Sequence, residues 1–337
     1  MFRMHRRATS AIVLSSVACA LLVACATQQG DGGSSSVPSY EGGGEDDVFP
    51  VTLEHAFGEV TIEESPERVV ALGATDADVI LALGVVPVAN SGYTFYEDGL
   101  GPWARDLVGD EERVRIESEA GPSFEQLAAL EPDLIVAVSA GLGDDDYERL
   151  AQIAPTLARP AGTADYQVSR AEATDFIAAA MGRPEQGRQL SEEVDALLAR
   201  TIEEHPEFTG RTGTVVLPSD DGYYAFLPGD ARGQFLESLG FELPEAVAEL
   251  DDGESFFVDI SAEQVDRLDG DLLISLSDDP EHDITEDGEL ITRLDVARNN
   301  AIINATMDQR GAISYNTVLS IPYAIEELVP QMAAALE

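Results

Sequence analysis

The chain contains no lysine. All 19 basic residues among its 337 are arginines, set against 64 Asp and Glu for a formal net charge of −45. That surplus repels phosphate backbones and anionic headgroups over long range, which excludes a nucleic-acid binder and a polybasic membrane-surface protein. Salt screens it within about 8 Å, so a salty extracellular setting fits. Cysteine is confined to Cys19 and Cys25 at the amino end, leaving the rest of the chain without a disulfide or a thiol nucleophile. Histidine is as scarce: beyond the first 24 residues only His55, His205 and His282 remain. They are too scattered for the imidazole shell of a zinc or manganese carrier. No G-x-S-x-G elbow, H-E-x-x-H helix or P-loop occurs. A hydrolase would have to use paired carboxylates, and 64 acids make coincidental pairs inevitable.

What is present begins with a targeting segment. Arg3, Arg6 and Arg7 precede an apolar stretch over 11–24 that ends Leu22-Val23-Ala24-Cys25. It is shorter than the roughly 20 residues a bilayer span needs, so residues 1–24 read as a secretion signal. Small residues before a Cys resemble a bacterial lipobox, which makes Cys25 the expected lipid attachment point. Residues 25–50 carry GDGGSSS and EGGGEDD runs and form a flexible acidic tether.

The chain as a whole is 44% apolar, with mean hydropathy −0.05. Its length suits two lobes at roughly 100 to 200 residues per domain. Short apolar strands alternate with helices, the mark of an α/β fold. A strand over 68–73 (RVVALG) runs into a helix over 76–83 that Gly84 closes, with the next strand over 85–89. Ser123 opens a helix over 124–130, and Glu131-Pro132-Asp133 ends it before an apolar strand over 134–138. A second lobe is expected because SFEQLAALEPDLIVAVS (123–139) matches SAEQVDRLDGDLLISLS (261–277) without a gap at an offset of 138. A strand over 213–217 and a helix over 235–239 extend the repeat. The expected organisation is a first lobe over 51–165, a long rigid connecting helix over 166–205 broken near Gly182-Arg183-Pro184, and a second lobe over 206–337. Both lobes should be doubly wound, with the ligand cleft between them.

RVVALGATDADVILALGVVPVA, PSFEQLAALEPDLIVAVS, DYERLAQIAPTLA, PGDARGQFLESLGF and ISYNTVLSIPYAIEELVPQMAAAL resemble the periplasmic-binding-protein family that delivers ferric siderophores, haem or cobalamin to ABC importers. The resemblance implies two α/β lobes, one bridging helix, a shallow cleft and a monomeric carrier that is not an enzyme and has no cofactor of its own. It also implies that one surface Glu per lobe, Glu125 and Glu263, docks onto the importer's membrane subunits. By residue chemistry alone each is a first-turn acid favoured by the helix dipole.

Ligands of open α/β sheets bind outside the carboxyl ends of the strands. In the first lobe this points to NSGYTFYEDGLGPWARDLVG, a Gly-rich loop with Tyr93, Phe95, Tyr96 and Trp103, the only Trp, and to Ser139 at the end of 134–138. Aromatics on a loop either face ligand or fold back over the lobe. In the second lobe Tyr223, Tyr224, Phe256 and Tyr315 hold comparable positions. Arg115 and Arg232 are candidates to hydrogen-bond the oxygens around a chelated metal, or partners in structural ion pairs. A hexadentate chelate already satisfies its iron, and so acidic a chain offers few cations to a trianionic catecholate. A ferric hydroxamate is therefore the favoured ligand, with haem or cobalamin as alternatives. The acidic segment 278–289 lacks the oxygen spacing of an EF-hand loop.

Overall fold

A computed structural model describes residues 48–337 except 94, 95, 118–122, 254, 278 and 280. The signal, Cys25, nearly all of the tether and Phe95 lie outside the described residues. No helix of the described residues is long and apolar enough to cross a membrane.

A hairpin of β1 (Val51–His55) and β2 (Gly58–Ile62) precedes the first sheet. That sheet contains β3 (Val69–Ala71), β4 (Ala89–Asn90), β5 (Val114–Arg115), β6 (Leu134–Ala137) and β7 (Thr156–Ala158). All pairings are parallel, in the order β5-β4-β3-β6-β7. Every residue of β3 and β6 is buried, which is why these stretches are unbroken apolar runs. The crossovers carry α1 (Asp76–Ala82), α2 (Pro102–Val108), α3 (Phe124–Ala129) and α4 (Asp144–Ala151). Ser123 caps α3 by accepting from the Gln126 N–H at 3.4 Å. The segment expected as one long loop after β4 instead contains α2, which starts on Pro102 and carries Trp103.

The connector is two helices, α5 (Arg170–Ala180) and α6 (Pro184–Glu204). Gly182 turns the chain with φ +70°, and Pro184 restarts it at the first helical position. The helices pack so closely that a Cβ on Gly187 would come within 2.3 Å of the Ala178 Cβ. The 21 residues of α6 extend about 31 Å. They bury a stripe of Leu190, Ser191, Val194, Leu198 and Thr201.

The second sheet holds β8 (Gly213–Ser219), β9 (Gly222–Phe226), β10 (Phe257–Ser261), β11 (Leu272–Ser275) and β12 (Ile302–Asn304), in the order β10-β9-β8-β11-β12. β8, β11 and β12 are parallel, whereas β9 runs antiparallel to both β8 and β10. Winding in the second lobe is therefore mixed: the two residues Asp220 and Asp221 turn β8 straight into β9, where the first lobe uses a helical crossover. The helices α7 (Ala231–Ser238), α8 (Glu245–Ala248) and α9 (Asp295–Arg298) follow, then α10 (Met307–Tyr315) and α11 (Ser320–Ala335). The repeat occupies one slot in both lobes: β6 lies between β3 and β7, as β11 lies between β8 and β12. The last helix, α11, packs against both α2 and α6, so the carboxy terminus ties the first lobe to the connector.

Candidate functional site

The first wall of the cleft is made by the carboxyl ends of β3 and β6. The buried Asp76 carboxylate accepts from the N–H groups of Gly73, Val138 and Ser139, each at 3.0 Å, and from the Ser139 hydroxyl at 2.7 Å. Burial pushes this carboxyl upward in pKa and the four donors oppose it. The Ser139 Oγ also accepts from the Thr75 N–H at 3.0 Å. Two strand ends are thus fixed together, with Ala74, Thr75 and Ser139 facing the cleft. Gly73 is required at this junction, since a Cβ would fall 2.3 Å from Asp76 Oδ2.

The opposing wall comes from the start of α7 (Gly229, Ala231, Gln234) and the end of α10 (Ser314 to Thr317). Asn316 ends α10 at φ +49°, a conformation Asn tolerates, and donates from Nδ2 to Gln234 Oε1 at 3.0 Å. The third side is Tyr166, Gln167, Val168, Arg170, Ala173 and Thr174, after β7 and into α5. Together they line a cleft that opens to solvent.

Among the described residues of the lining, Arg170 is the sole charged one and no acid contributes. Its Nη2 donates to Asp195 Oδ1 on α6 at 2.7 Å, while its buried Nε–H has no partner among the described residues. Burial draws the pKa of this guanidinium down and Asp195 opposes the shift.

Of the residues expected at the site, the structure brings Tyr93, Ser139 and Tyr315 together in the lining. Tyr93 is 36% exposed, and its N–H donates to the Tyr315 hydroxyl at 3.1 Å. Tyr315 in turn donates to the Gly99 carbonyl at 2.8 Å.

The remaining candidates lie elsewhere. Trp103 is buried and donates its indole N–H to Asp78 Oδ2 at 2.7 Å. Its ring packs edge-on against Tyr315 at 5.3 Å and against Tyr96 at 5.9 Å. Tyr96 is buried over Gly311, where a Cβ would meet its hydroxyl at 2.2 Å. These aromatics fold back and seal the first lobe against α10 and α11. Thr317 completes the seam by donating to the same Asp78 oxygen at 2.6 Å. Burial pushes the Asp78 carboxyl up to about 6.

Arg115 is committed to backbone, donating to the carbonyls of Ile116 at 2.7 Å and Gly92 at 3.1 Å. Tyr223 is core, with its hydroxyl on Asp287 at 3.1 Å. Tyr224 lies edge-on to Phe257. The Phe256 carbonyl accepts from the Leu227 N–H at 2.9 Å. Arg232 forks onto Asp230 at 2.6 Å and covers the Phe226 ring at 3.7 Å. None of these five is in the cleft lining.

The cleft residues that sequence reasoning passed over are Tyr166, Gln167, Arg170, Gln234, Asn316 and Thr317. The first three lie on the connection from β7 to the first residue of α5, the side of the sheet that the strand-end rule marks. Glu125 and Glu263 are both exposed, the first in the opening turn of α3 and the second in a 3-10 segment, Ala262–Leu268. The histidines occupy separate places: His55 meets Tyr147, His205 stacks on Phe208, and His282 faces Asp287.

The family model described as periplasmic binding protein matches residues 69–304. The probable siderophore-binding lipoprotein YfiY of Bacillus subtilis is 28% identical over 236 residues, covering 66% of this chain and 67% of that protein. The crystal structure of PiaA from Streptococcus pneumoniae in complex with ferrichrome superposes with a TM-score of 0.70 at 28% identity, covering 85% of this chain and 98% of that one. A periplasmic solute binding protein from Mycobacterium smegmatis reaches a TM-score of 0.75 at 29% identity, covering 85% and 99%.

Proposed function

The chain belongs to the periplasmic binding protein family, and on that footing we propose that it captures an iron(III)–siderophore complex, a hydroxamate by preference, and delivers it to an ABC importer. One observation carries the reading: in a chain with 64 acids, the described residues that line the interlobe cleft include none of them and a single cation, Arg170, itself paired with Asp195. A hexadentate chelate leaves the protein only an organic shell to recognise. Tyr93 and Tyr166 supply exposed ring faces for it, while Ser139, Gln167, Gln234 and Asn316 offer neutral donors and acceptors. Arg170, already paired with Asp195, adds a donor without a free positive charge, which suits a neutral or weakly charged chelate. A trianion would need several cations converging at low dielectric.

The siderophore-binding relative and the ferrichrome complex support the same ligand class. In this reading Cys25 carries a lipid anchor that holds a monomeric receptor at the outer face of the membrane. Glu125 and Glu263, one exposed acid per lobe, meet the two importer subunits. The protein binds and releases its ligand without turning it over.

Incubating the purified protein with ferrichrome and following its melting temperature tests the proposal. Stabilisation that rises with ferrichrome concentration, with the chelate recovered unchanged, is expected. No shift with ferrichrome, ferrioxamine or ferric dicitrate, or a shift only with haem or cobalamin, overturns it.

A further inference from the structure

Tyr166 stands in a backbone conformation that a tyrosine adopts at a cost. Its φ is +62°, a left-handed value that the Cβ and ring disfavour by sterics. Strain of this kind persists where the surroundings over-determine it, and the loop before α5 does so. Arg159 donates from Nε to the Thr163 carbonyl at 2.9 Å and pairs through Nη1 with Asp165 at 2.9 Å, one residue before the tyrosine. The Thr163 hydroxyl donates to the Pro160 carbonyl at 2.7 Å, and the Gln167 N–H closes the turn onto the Ala164 carbonyl at 3.3 Å.

The strain serves no core. The residue is 66% exposed, the largest exposure of any large apolar or aromatic residue described, and it lies in the cleft lining. Its ring is seated by a glycine, because a Cβ on Gly141 would come within 2.6 Å of the phenol oxygen. Across the mouth, the Tyr93 hydroxyl feels Tyr166, Arg232 and Asp230 electrostatically. A braced loop, a strained backbone and a glycine seat therefore hold one exposed phenol at the rim of the cleft.

We propose that Tyr166 is a specificity-determining residue of this cleft, a pre-set wall that stacks on the organic shell of the chelate, with Gly141 fixing where the ring stands. The inference rests on the siderophore reading above and adds a residue-level claim to it. Because the loop is already ordered, the ring meets ligand without a further ordering cost, and exchanging it alters which chelates fit.

The Tyr166→Asn variant separates ligand recognition from structure, since Asn tolerates the positive φ and lacks the ring. Its melting temperature should hold or rise by about 2 °C through relief of strain. Its Kd for the tightest-binding member of a panel of ferrichrome, ferrioxamine B, ferric dicitrate and ferric enterobactin should weaken at least about tenfold. Gly141→Ala, which displaces the ring and keeps the tyrosine, should weaken the same Kd about threefold or more with the fold intact. Wild-type affinity in Tyr166→Asn, or a loss of affinity matched by a fall in melting temperature, overturns the inference while the siderophore reading stands. A wild type that binds none of the four chelates overturns that reading, and this inference with it.

Discussion

Asp133 in the first lobe and Asp271 in the second lie 138 residues apart and do one job. Asp133 accepts from the N–H groups of Glu67 and Arg68, just ahead of β3, at 2.8 and 2.9 Å. Asp271 accepts from the Thr212 N–H and hydroxyl, just ahead of β8, at 2.8 and 3.0 Å. Each carboxylate fastens the start of one parallel strand to the start of its neighbour. The lobes part company at the other end of those strands. In the first, β3 feeds α1, whose Asp76 ties two strand ends together and whose Asp78 reaches Trp103 and Thr317. In the second, β8 returns as a hairpin and the cleft wall is left to α7 and α10. The repeat thus encodes the sheet, while the divergence encodes the cleft and the seam between the lobes.

The seam offers the largest test of this asymmetry. Trp103→Ala removes a buried ring and orphans part of the Asp78 carboxylate, so unfolding stability should drop by about 3–5 kcal/mol in a denaturant titration. Tyr224→Ala, a half-buried residue of β9 in the second lobe, should cost less than about 2 kcal/mol. Equal losses would break the assignment of the loop aromatics to a seam peculiar to the first lobe.

A pH experiment addresses the same seam. Burial raises the Asp78 pKa from 3.8 to about 6, so the folded state holds this proton more tightly than the unfolded chain. The stability it contributes is complete below pH 3.8 and disappears as pH rises through about 6. The stability of Asp78→Asn relative to wild type should therefore move in the variant's favour by about 3 kcal/mol between pH 3.5 and pH 7. A pH-independent difference would show that Asp78 titrates normally.

The shared carboxylates come next. Asp133→Ala and Asp271→Ala should each lower stability by about 1–3 kcal/mol, and by similar amounts. A much larger loss at one would break the equivalence of the two lobes. The smallest effect lies at the caps. Ser123 accepts from the Gln126 N–H, whereas Ser261, its counterpart, makes no capping bond. Ser123→Ala should cost about 0.5–1 kcal/mol and Ser261→Ala close to nothing by thermal melting.

What the sequence made legible follows these physical lines. Runs buried on both faces, such as β6 and β11, carry their own signature, and the 138-residue offset survives because both copies fill one slot in a sheet. The strand-end rule located Tyr93 and Ser139. Trp103 reads as a loop residue because a Gly-rich stretch conceals the seven-residue helix α2 and the Asp78 partner behind it. Arg115 and Arg232 attracted attention as cations, yet their carbonyl and carboxylate partners are fixed only by tertiary structure. Tyr166 and Arg170 lie in a stretch whose composition marks only the helical connector. The positive φ that marks Tyr166 has no counterpart in composition.

A cleft whose described lining holds no acid and one paired cation is tested most directly by one ratio, the Kd of ferric enterobactin, a trianion, over that of ferrichrome, a neutral hydroxamate, measured with the same protein at physiological ionic strength. A ratio of at least about ten in favour of ferrichrome is expected. Equal or tighter binding of the trianion would contradict the reading of the cleft as built for an uncharged chelate.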